Sequence, residues 1–416
     1  MSTAAPAPRP AREAVRARVA VNMLFFTNGA IFANLLPRYP EIKDSLELSN
    51  TAFGAAVAAF PLGAIIAGLS AGFFVRRFGS SRVAVAAAVL SSAGIFVAGA
   101  SPVWVFLALG LFASGAMDSI TDVAQNSHGL RVQRLYGRSI LNSFHAVWSI
   151  GAVFGGVMGA AAAQIGIPLA LHLGVSAALF STLALVAYRF LLPGAEPEEA
   201  AVAPVAAPRI PGRAGGLVAK WGVLAALVLI AAGGAIVEDS GASWSAIYLS
   251  GSLGASAFLA GVGFIALQGM QFVGRIFGDR LVDRFGQRAV ARVGGATVFV
   301  GMGLALAFPT LVGTIVGFGL SGLGVATLIP AAMHAADELP GFRAGTGLTI
   351  VSWLMRLGFL LAPPIVGAIA DASSLRLGLL IVPFAGLLVV ACSGVLSRRR
   401  AHPGDATPPT PIPAAP

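Results

Sequence analysis

The chain has 416 residues, of which 57% are hydrophobic and only 11% are charged, and its formal net charge is +10. A soluble protein of this size would carry about a quarter charged residues, so most of this surface must face lipid or other helices within lipid. The basic residues fall between apolar segments, which excludes nucleic acid as the partner. A single cysteine and five scattered histidines exclude a disulfide framework and predict neither a metal site nor a cofactor.

Twelve apolar segments follow a Pro/Ala/Arg-rich start, residues 1–18, which we predict to be a disordered tail. Each segment is close to the about 20 residues that a spanning helix needs. The seventh is too long for one straight crossing, and we expect it to break near Gly233 and Gly234 or near Gly241, or to continue along the membrane surface. The predicted spans are 19–37, 51–75, 83–100, 103–126, 139–163, 168–190, 218–249, 255–277, 289–308, 310–334, 344–370 and 374–396.

Lysine and arginine residues predict which side of the membrane each loop faces. With the N-terminus inside, 23 of the 27 basic residues fall in cytoplasmic segments, and only Arg38, Lys43 and Arg376 fall in outer loops. This asymmetry predicts that both termini are cytoplasmic and supports an even number of spans. We therefore expect a multi-pass protein of the inner membrane, in contact with the lipid bilayer.

An internal repeat divides the chain. The polar stretch 193–216 separates two six-span halves, 19–192 and 217–397, and a second tail that we predict to be disordered follows at 398–416. The motif that ends in Gly79 recurs at Gly286, an offset of 207 residues, after the second span of each half. Two such halves related by an axis along the membrane normal are a plan of secondary transporters. The fold class is therefore an all-α membrane protein of twelve transmembrane helices.

The repeated loop carries a family resemblance. The segment Gly72–Arg82 resembles the loop signature of the Major Facilitator Superfamily, glycine-x-x-x-Asp-Arg-x-Gly-Arg, except that Arg76 stands where the acid is usual. In that family this loop latches the two halves in the outward-open state. The resemblance implies the superfamily fold and a latch formed by Gly72, Arg77, Gly79, Asp283, Arg284 and Gly286. Segments 122–126, 143–151 and 238–249 are similar to the fucose-permease-like branch.

Charged residues inside spans mark a candidate transport site, because a charge at the bilayer centre costs about 2.5–3.5 kcal/mol on insertion scales. Asp118, Asp122 and Asn126 are spaced four residues apart and predict one polar stripe on span four. A stripe that faces a cavity is suited to carry a proton; alternatively, Asp122 and Asn126 only bond the neighbouring helix end and His145. His145, early in span five, either forms a proton relay with Asp122 or serves only in packing and hydrogen bonding.

Span seven supplies two more acids, Glu238 and Asp239, of which Glu238 is the better candidate for proton coupling. We expect Trp244 to face the cavity and Tyr248 to join the outer aromatic belt, although the belt would suit either ring. Arg356, in the middle of span eleven, should pair with Glu238 or Asp239. The other predicted cavity residues, each of which could also join helices to one another, are Asn28, Asn34, Asn126, Trp148, Gln268 and Gln271.

Two transport functions remain open. The fucose-permease resemblance implies proton-coupled symport of a small polar, sugar-like solute by alternating access. The alternative is a proton-driven antiporter that exports a drug or a metabolite. The family's antiporter signature places a proline within a glycine run of span five, whereas the run Gly151–Gly159 lacks the proline and so favours uptake. A scaffold, a sensor or an enzyme is disfavoured because buried charges are costly unless used, and we expect a monomer.

Overall fold

The computed structural model describes residues 12–194, 217–340, 342 and 345–397. Within these ranges the regular secondary structure is entirely helical. The first half contains α1 (Arg12–Ala33), α2 (Tyr39–Ser45), α3 (Asn50–Phe78), α4 (Ser80–Gly99), α5 (Trp104–Tyr136), α6 (Leu141–Gln164) and α7 (Leu169–Tyr188). The second half contains α8 (Leu217–Leu253), α9 (Ala257–Phe285), α10 (Gln287–Ala307), α11 (Leu311–Val325), α12 (Leu328–Asp337), α13 (Thr346–Ala372), α14 (Leu375–Gly378) and α15 (Ile381–Cys392).

Twelve helical segments in the described part of the chain are long and apolar enough to cross a membrane, which confirms the predicted number. Three spans are composite, because α1 continues into α2, α11 into α12 and α14 into α15. An even number of crossings places the two described ends, Arg12 and Ser397, on one side of the molecule. We call that side the near face and the opposite side the far face.

The first helix begins earlier than the sequence indicated. Residues 12–18 are helical, not part of a disordered tail, and Ala14 and Ala17 are buried. Arg18 Nη1 donates a hydrogen bond to the Tyr136 hydroxyl at 2.8 Å, so this turn packs against the end of α5. The predicted linker beyond Gly194 and the predicted tail 398–416 lie outside the described residues.

The expected break in span seven is wrong, because α8 is one continuous helix of 37 residues. Gly233 and Gly234 serve packing instead of bending. Gly233 lies against Val389 of α15, and Gly234 lies against Ile329 of α12, so the missing side chains allow neighbouring helices to approach closely. At 1.5 Å per residue the helix is about 55 Å long, which exceeds the about 30 Å of the hydrocarbon core.

The internal repeat is visible in the helix ends. Helices α3 and α9 each have 29 residues. They end at Gly79, with φ of 86°, and at Gly286, with φ of 83°. A residue with a Cβ rarely adopts such angles, so the glycine of the repeated motif stops one helix and lets the next begin at once.

The sequence places Arg38 in an outer loop. In the structure this residue is buried, and only 1% of its surface is exposed. Its Nε donates to Glu41 Oε2 at 2.7 Å and its Nη2 donates to the Ile167 carbonyl at 2.9 Å. The guanidinium also lies 3.4 Å from His172 Nδ1. The side chain therefore ties the end of span one to the turn between α6 and α7.

The two halves meet chiefly along two helix pairs, α3 with α13 and α6 with α9, and α2 also packs against α8. In the first pair, Gly54 lies against Pro363; in the second, Gly156 lies against Phe264. Both contacts fall in the part of each pair that is closer to the far face. The space between the halves is therefore closed toward the far face and opens toward the near face.

Candidate transport site

A cavity of about 360 Å³ lies between the two halves. This volume is in the usual range for small-molecule sites, about 300–1,000 Å³. Each half contributes three helices to its polar lining, α1, α5 and α6 from the first and α8, α9 and α13 from the second. The polar lining residues, all singled out from the sequence, are Asn28, Asp118, Trp148, Glu238, Asp239, Gln268 and Arg356.

A chain of hydrogen bonds joins three helices of the first half at the cavity wall. Asn28 Nδ2 on α1 donates to Asp118 Oδ1 on α5 at 2.7 Å. Trp148 Nε1 on α6 donates to Asn28 Oδ1 at 2.8 Å. Because an indole N–H can only donate, this contact fixes which end of the Asn28 amide faces Asp118. The carboxylate of Asp118 is thereby held in one orientation, half-buried at the edge of the cavity.

A second polar cluster lies one helical turn closer to the near face. Asn126 Nδ2 donates to Asp122 Oδ1 at 2.9 Å, and His145 Nε2 lies 3.2 Å from Asn126 Oδ1. The expected stripe on α5 therefore exists, but Asn126 stands between Asp122 and His145 instead of a direct acid–imidazole pair. Asp122 and His145 are exposed. They lie on the near-face side of the cavity, where it opens.

The second half provides two neighbouring carboxylates on α8. Glu238 Oε2 accepts a hydrogen bond from Gln271 Nε2 of α9 at 2.9 Å. Asp239 Oδ2 accepts a longer bond from Ser243 at 3.5 Å. Gln268, one turn from Gln271 on α9, lines the cavity, and its Nε2 is buried without a partner among the described residues. Unpaired amide donors of this kind are available to a bound solute.

Arg356 does not form the ion pair that the sequence led us to expect. Within the described residues its guanidinium makes no contact within 4.0 Å of the Glu238 or Asp239 carboxylates. It reaches across to the first half instead, where Nη1 lies 3.5 Å from the position that a Cβ on Gly68 would occupy. A Cβ at Gly68 would meet the Arg356 guanidinium only in ordinary contact, whereas it would lie 2.8 Å from Ser119 Oγ on α5, so the glycine serves the close packing of α3 on α5.

Three aromatic or polar side chains lie away from the cavity. Asn34, which directly follows α1, is fully buried and its Nδ2 donates to Ser176 Oγ of α7 at 2.8 Å. Trp244 is fully buried and packs edge-on against Phe53 of the first half, with ring centroids 5.5 Å apart. Tyr248 is 1% exposed, so it is not part of a lipid-facing belt.

The residues of the predicted latch lie at the near-face ends of α3 and α9. Arg77 stacks on Phe78 at 5.5 Å, and Arg284 stacks on Phe285 at 5.4 Å, each measured from the guanidinium carbon to the ring centroid. Both arginines are exposed, as is Asp283. Gly72 lies beside the Arg76 guanidinium, so the residue in place of the usual acid folds back on its own helix.

The apolar wall of the cavity escaped the sequence analysis. Four phenylalanines line it: Phe32, Phe60, Phe264 and Phe359. Helical phase would have found three of them, because Phe32 follows Asn28 by four residues, Phe264 precedes Gln268 by four, and Phe359 follows Arg356 by three. Such spacings place two side chains on one face of a helix.

Two six-helix halves around a central polar cavity define a secondary transporter. The sequence profile of the Major Facilitator Superfamily matches residues 21–276 and 223–415. The chain belongs to the Major Facilitator Superfamily. It is therefore a multi-pass membrane transporter and not an enzyme, and its bacterial relatives indicate the inner membrane.

Two bacterial relatives span nearly the same length. One is the uncharacterized transporter y4wD of Sinorhizobium fredii, 29% identical over 90% of this chain and 96% of its own. The other is the membrane protein MosC of Rhizobium meliloti, 28% identical over 92% of this chain and 90% of its own. Neither name points to the fucose-permease-like branch, which stays a prediction.

Solved structures share the fold at low sequence identity. The nucleoside transporter NupG superposes with a TM-score of 0.70 at 12% identity and covers 91% of this chain and 98% of its own. A D-xylose–proton symporter also gives a TM-score of 0.70, at 17% identity, and covers 91% of this chain and 96% of its own. At these identities the likeness shows the fold alone.

Proposed function

We propose that this transporter is a proton-coupled symporter of a small polar, sugar-like solute that works by alternating access. One observation carries the proposal: carboxylates of both halves face the same cavity, Asp118 from the first half and Glu238 and Asp239 from the second. Binding or release of a proton there changes the charge between two bodies that must move relative to each other. This is the coupling that a symporter needs.

The cavity chemistry supports a polyhydroxy solute. Asn28 and Gln268 present amide groups, and Trp148 presents a large ring, at the cavity surface. Amides bond hydroxyl groups as donors and as acceptors. The phenylalanine wall offers flat apolar surface to the C–H face of a sugar ring, as in other ligand sites with few polar groups on an apolar lining.

We assign proton binding to Asp118 and Glu238. Asp118 lies in the cavity wall and is held by Asn28, whereas Asp122 and His145 lie nearer to the near face. A proton that leaves Asp118 toward the near face passes this second cluster, which is suited to relay it because imidazole titrates near neutrality.

Proton movement in proteoliposomes tests the function. A pH-sensitive dye follows the lumen while a panel of sugars, polyols and cationic drugs is added outside. Symport predicts that the lumen becomes more acidic as the sugar enters, together with accumulation of that sugar. Asp118→Asn should abolish both, while sugar–sugar exchange persists because exchange needs no net proton movement. Asp44→Asn, an exposed acid on α2, is the matched control and should behave as the parent. Concentrative uptake by Asp118→Asn would sink the assignment of the proton to Asp118.

Export of an organic cation is the second candidate. The cavity contains three carboxylates against one guanidinium, together with several aromatic faces. Carboxylates and aromatic rings together recognise ammonium groups. In the same assay, export predicts that a cationic drug collapses an imposed proton gradient while sugars have no effect.

A further inference from the structure

On the far face, a carboxylate of the second half caps a helix of the first half. Asp371, at the end of α13, accepts hydrogen bonds at the N-terminus of α3. Oδ1 accepts from the Asn50 backbone N–H and from Asn50 Nδ2, both at 2.9 Å. Oδ2 accepts from the Thr51 backbone N–H at 2.7 Å. The first N–H groups of a helix have no partner within it, and a negative charge there also favours the helix dipole.

A weaker contact of the same kind joins the other helix pair. Gln164, at the end of α6 in the first half, accepts a hydrogen bond with Oε1 from the Phe258 backbone N–H at 3.0 Å. Phe258 lies in the first turn of α9 in the second half. This cap has one neutral acceptor, whereas Asp371 offers two charged oxygens. Bonds to charged acceptors are roughly twice as strong as bonds between neutral groups.

The internal repeat relates these two caps. Thr51 and Phe258 differ by 207 positions, and so do Gln164 and Asp371. The same offset joins the N-cap residues Ser49 and Ser256. Each cap therefore uses the end of the fifth span of one half and the start of the second span of the other.

Close backbone approach supports both caps. A Cβ added to Gly54 of α3 would overlap the Pro363 carbonyl oxygen. At the position 207 residues later, a Cβ added to Gly261 of α9 would lie 2.6 Å from the Ala160 Cβ of α6. Small residues at these two equivalent positions let the opposing helix ends come within capping distance.

We propose that Asp371 and Gln164 are a symmetry-related pair of positioning residues that hold the far face closed, each by capping a helix of the opposite half. Both side chains are exposed. When the halves separate, water can therefore replace the lost partners, and each cap is reversible instead of permanent. The proposal requires only that the halves move relative to each other, and it is independent of the solute and of the coupling ion.

Both far-face caps are formed in this structure, whose near face is open. On the near face, the first copy of the repeated loop carries Arg76 where the family's latch has an acid, whereas the second copy keeps Asp283. Loss of the caps should therefore shift molecules toward the far-face-open state.

Distance measurements between spin labels test the pair. In a Cys392→Ser background, one label pair reports the far face (Ala100→Cys with Ala307→Cys) and another reports the near face (Ser139→Cys with Asp337→Cys). All four positions are exposed. Asp371→Asn keeps the shape and removes the charge, and Asp371→Ala removes the cap. We expect Asp371→Ala to raise the ratio of far-face-open to far-face-closed molecules about fivefold to tenfold, the usual effect of losing a helix cap.

A charge exchange provides the sharper test. Gln164→Glu has the same reach as glutamine and gives the second cap a charged acceptor. In the Asp371→Asn background it should return the population ratio to within about twofold of the parent, because the charge-assisted bond is restored at the equivalent site. Asp44→Asn, also on the far face, should leave the ratio unchanged.

The two label pairs distinguish a shift between the two open states from a general loosening of the contact between the halves. If the caps hold a gate, near-face distances shorten in the molecules whose far-face distances lengthen. Unchanged far-face distances in Asp371→Ala would overturn the proposal. So would broadening at both faces without reciprocity, or failure of Gln164→Glu to compensate for Asp371→Asn.

Discussion

Asn28 is the central residue of the hydrogen-bonded chain at the cavity wall. Its carbonyl accepts from Trp148, and its amide nitrogen donates to Asp118. No other side-chain type supplies one acceptor and one donor in this geometry except glutamine, which is longer by a methylene group. The amide thus transmits the position of an aromatic ring on α6 to a carboxylate on α5.

Removal of the indole donor should therefore weaken solute binding. In Trp148→Phe the ring remains but the Asn28 carbonyl loses its partner, so the amide is free to rotate away from Asp118. We expect KM to rise about threefold to tenfold, which corresponds to one lost hydrogen bond, with a smaller change in kcat. Initial rates of solute exchange in proteoliposomes at several solute concentrations give both constants.

The matched control is Trp353→Phe on α13, where the native side chain is 46% exposed and does not line the cavity. It should leave KM unchanged. An unchanged KM in Trp148→Phe would mean that Asn28 holds Asp118 without help from α6.

At the scale of the helices, the paired stops at Gly79 and Gly286 are the most demanding local conformations of the repeat. Each glycine has positive φ and is followed directly by a new helix. Their ψ angles of 143° and 154° place them in a region of positive φ that only glycine adopts readily, so an alanine there would be strained. We expect Gly79→Ala and Gly286→Ala each to destabilise the protein by about 1–3 kcal/mol.

Thermal unfolding in detergent, followed by tryptophan fluorescence, measures this effect as a lower midpoint. Gly222→Ala is the control, because Gly222 lies within helix α8 and a Cβ there meets nothing within 4 Å. That change should be neutral or slightly stabilising, since alanine is the better helix former. Equal midpoints for all three variants would show that the stops carry no strain.

At the scale of the whole molecule, the distribution of arginine and lysine predicts that the near face is cytoplasmic. Single cysteines introduced at Ser139 and at Ala100, in a Cys392→Ser background, report the two faces. In intact cells, a membrane-impermeant thiol reagent should label Ala100→Cys and leave Ser139→Cys unlabelled until the membrane is permeabilised. The reverse labelling pattern would show that the near face is on the outer side of the membrane and the far face is cytoplasmic.

Much of the architecture follows from the sequence because the bilayer imposes it. The apolar spans and the repeated motif at Gly79 and Gly286 predict twelve helices in two halves, since each is a local property of the chain. The cavity residues Asp118 and Glu238 are also predictable, because a charge inside a span is too costly to be incidental.

The sequence does not determine which side chains contact each other across the fold. Arg356 has candidate acids in its own half, but tertiary packing turns it toward Gly68 of the other half. From the sequence, a glycine pair such as Gly233 and Gly234 is equally compatible with a hinge and with a packing surface. The positions of the neighbouring helices determine which of the two it is. The cap formed by Asp371 is likewise invisible along the chain, because its partners are over 300 residues away.

The continuity of helix α8 has a consequence for the proton gradient across the membrane. A stiff rod that tilts about its middle, near Glu238, moves its two ends in opposite directions. In the alternating access that we propose, such a helix would couple the closing of one face to the opening of the other. A helix broken at Gly233 would have allowed the ends to move independently, with a water-filled path that dissipates the proton-motive force. A stiff α8 would thus prevent proton leakage while the transporter carries its solute.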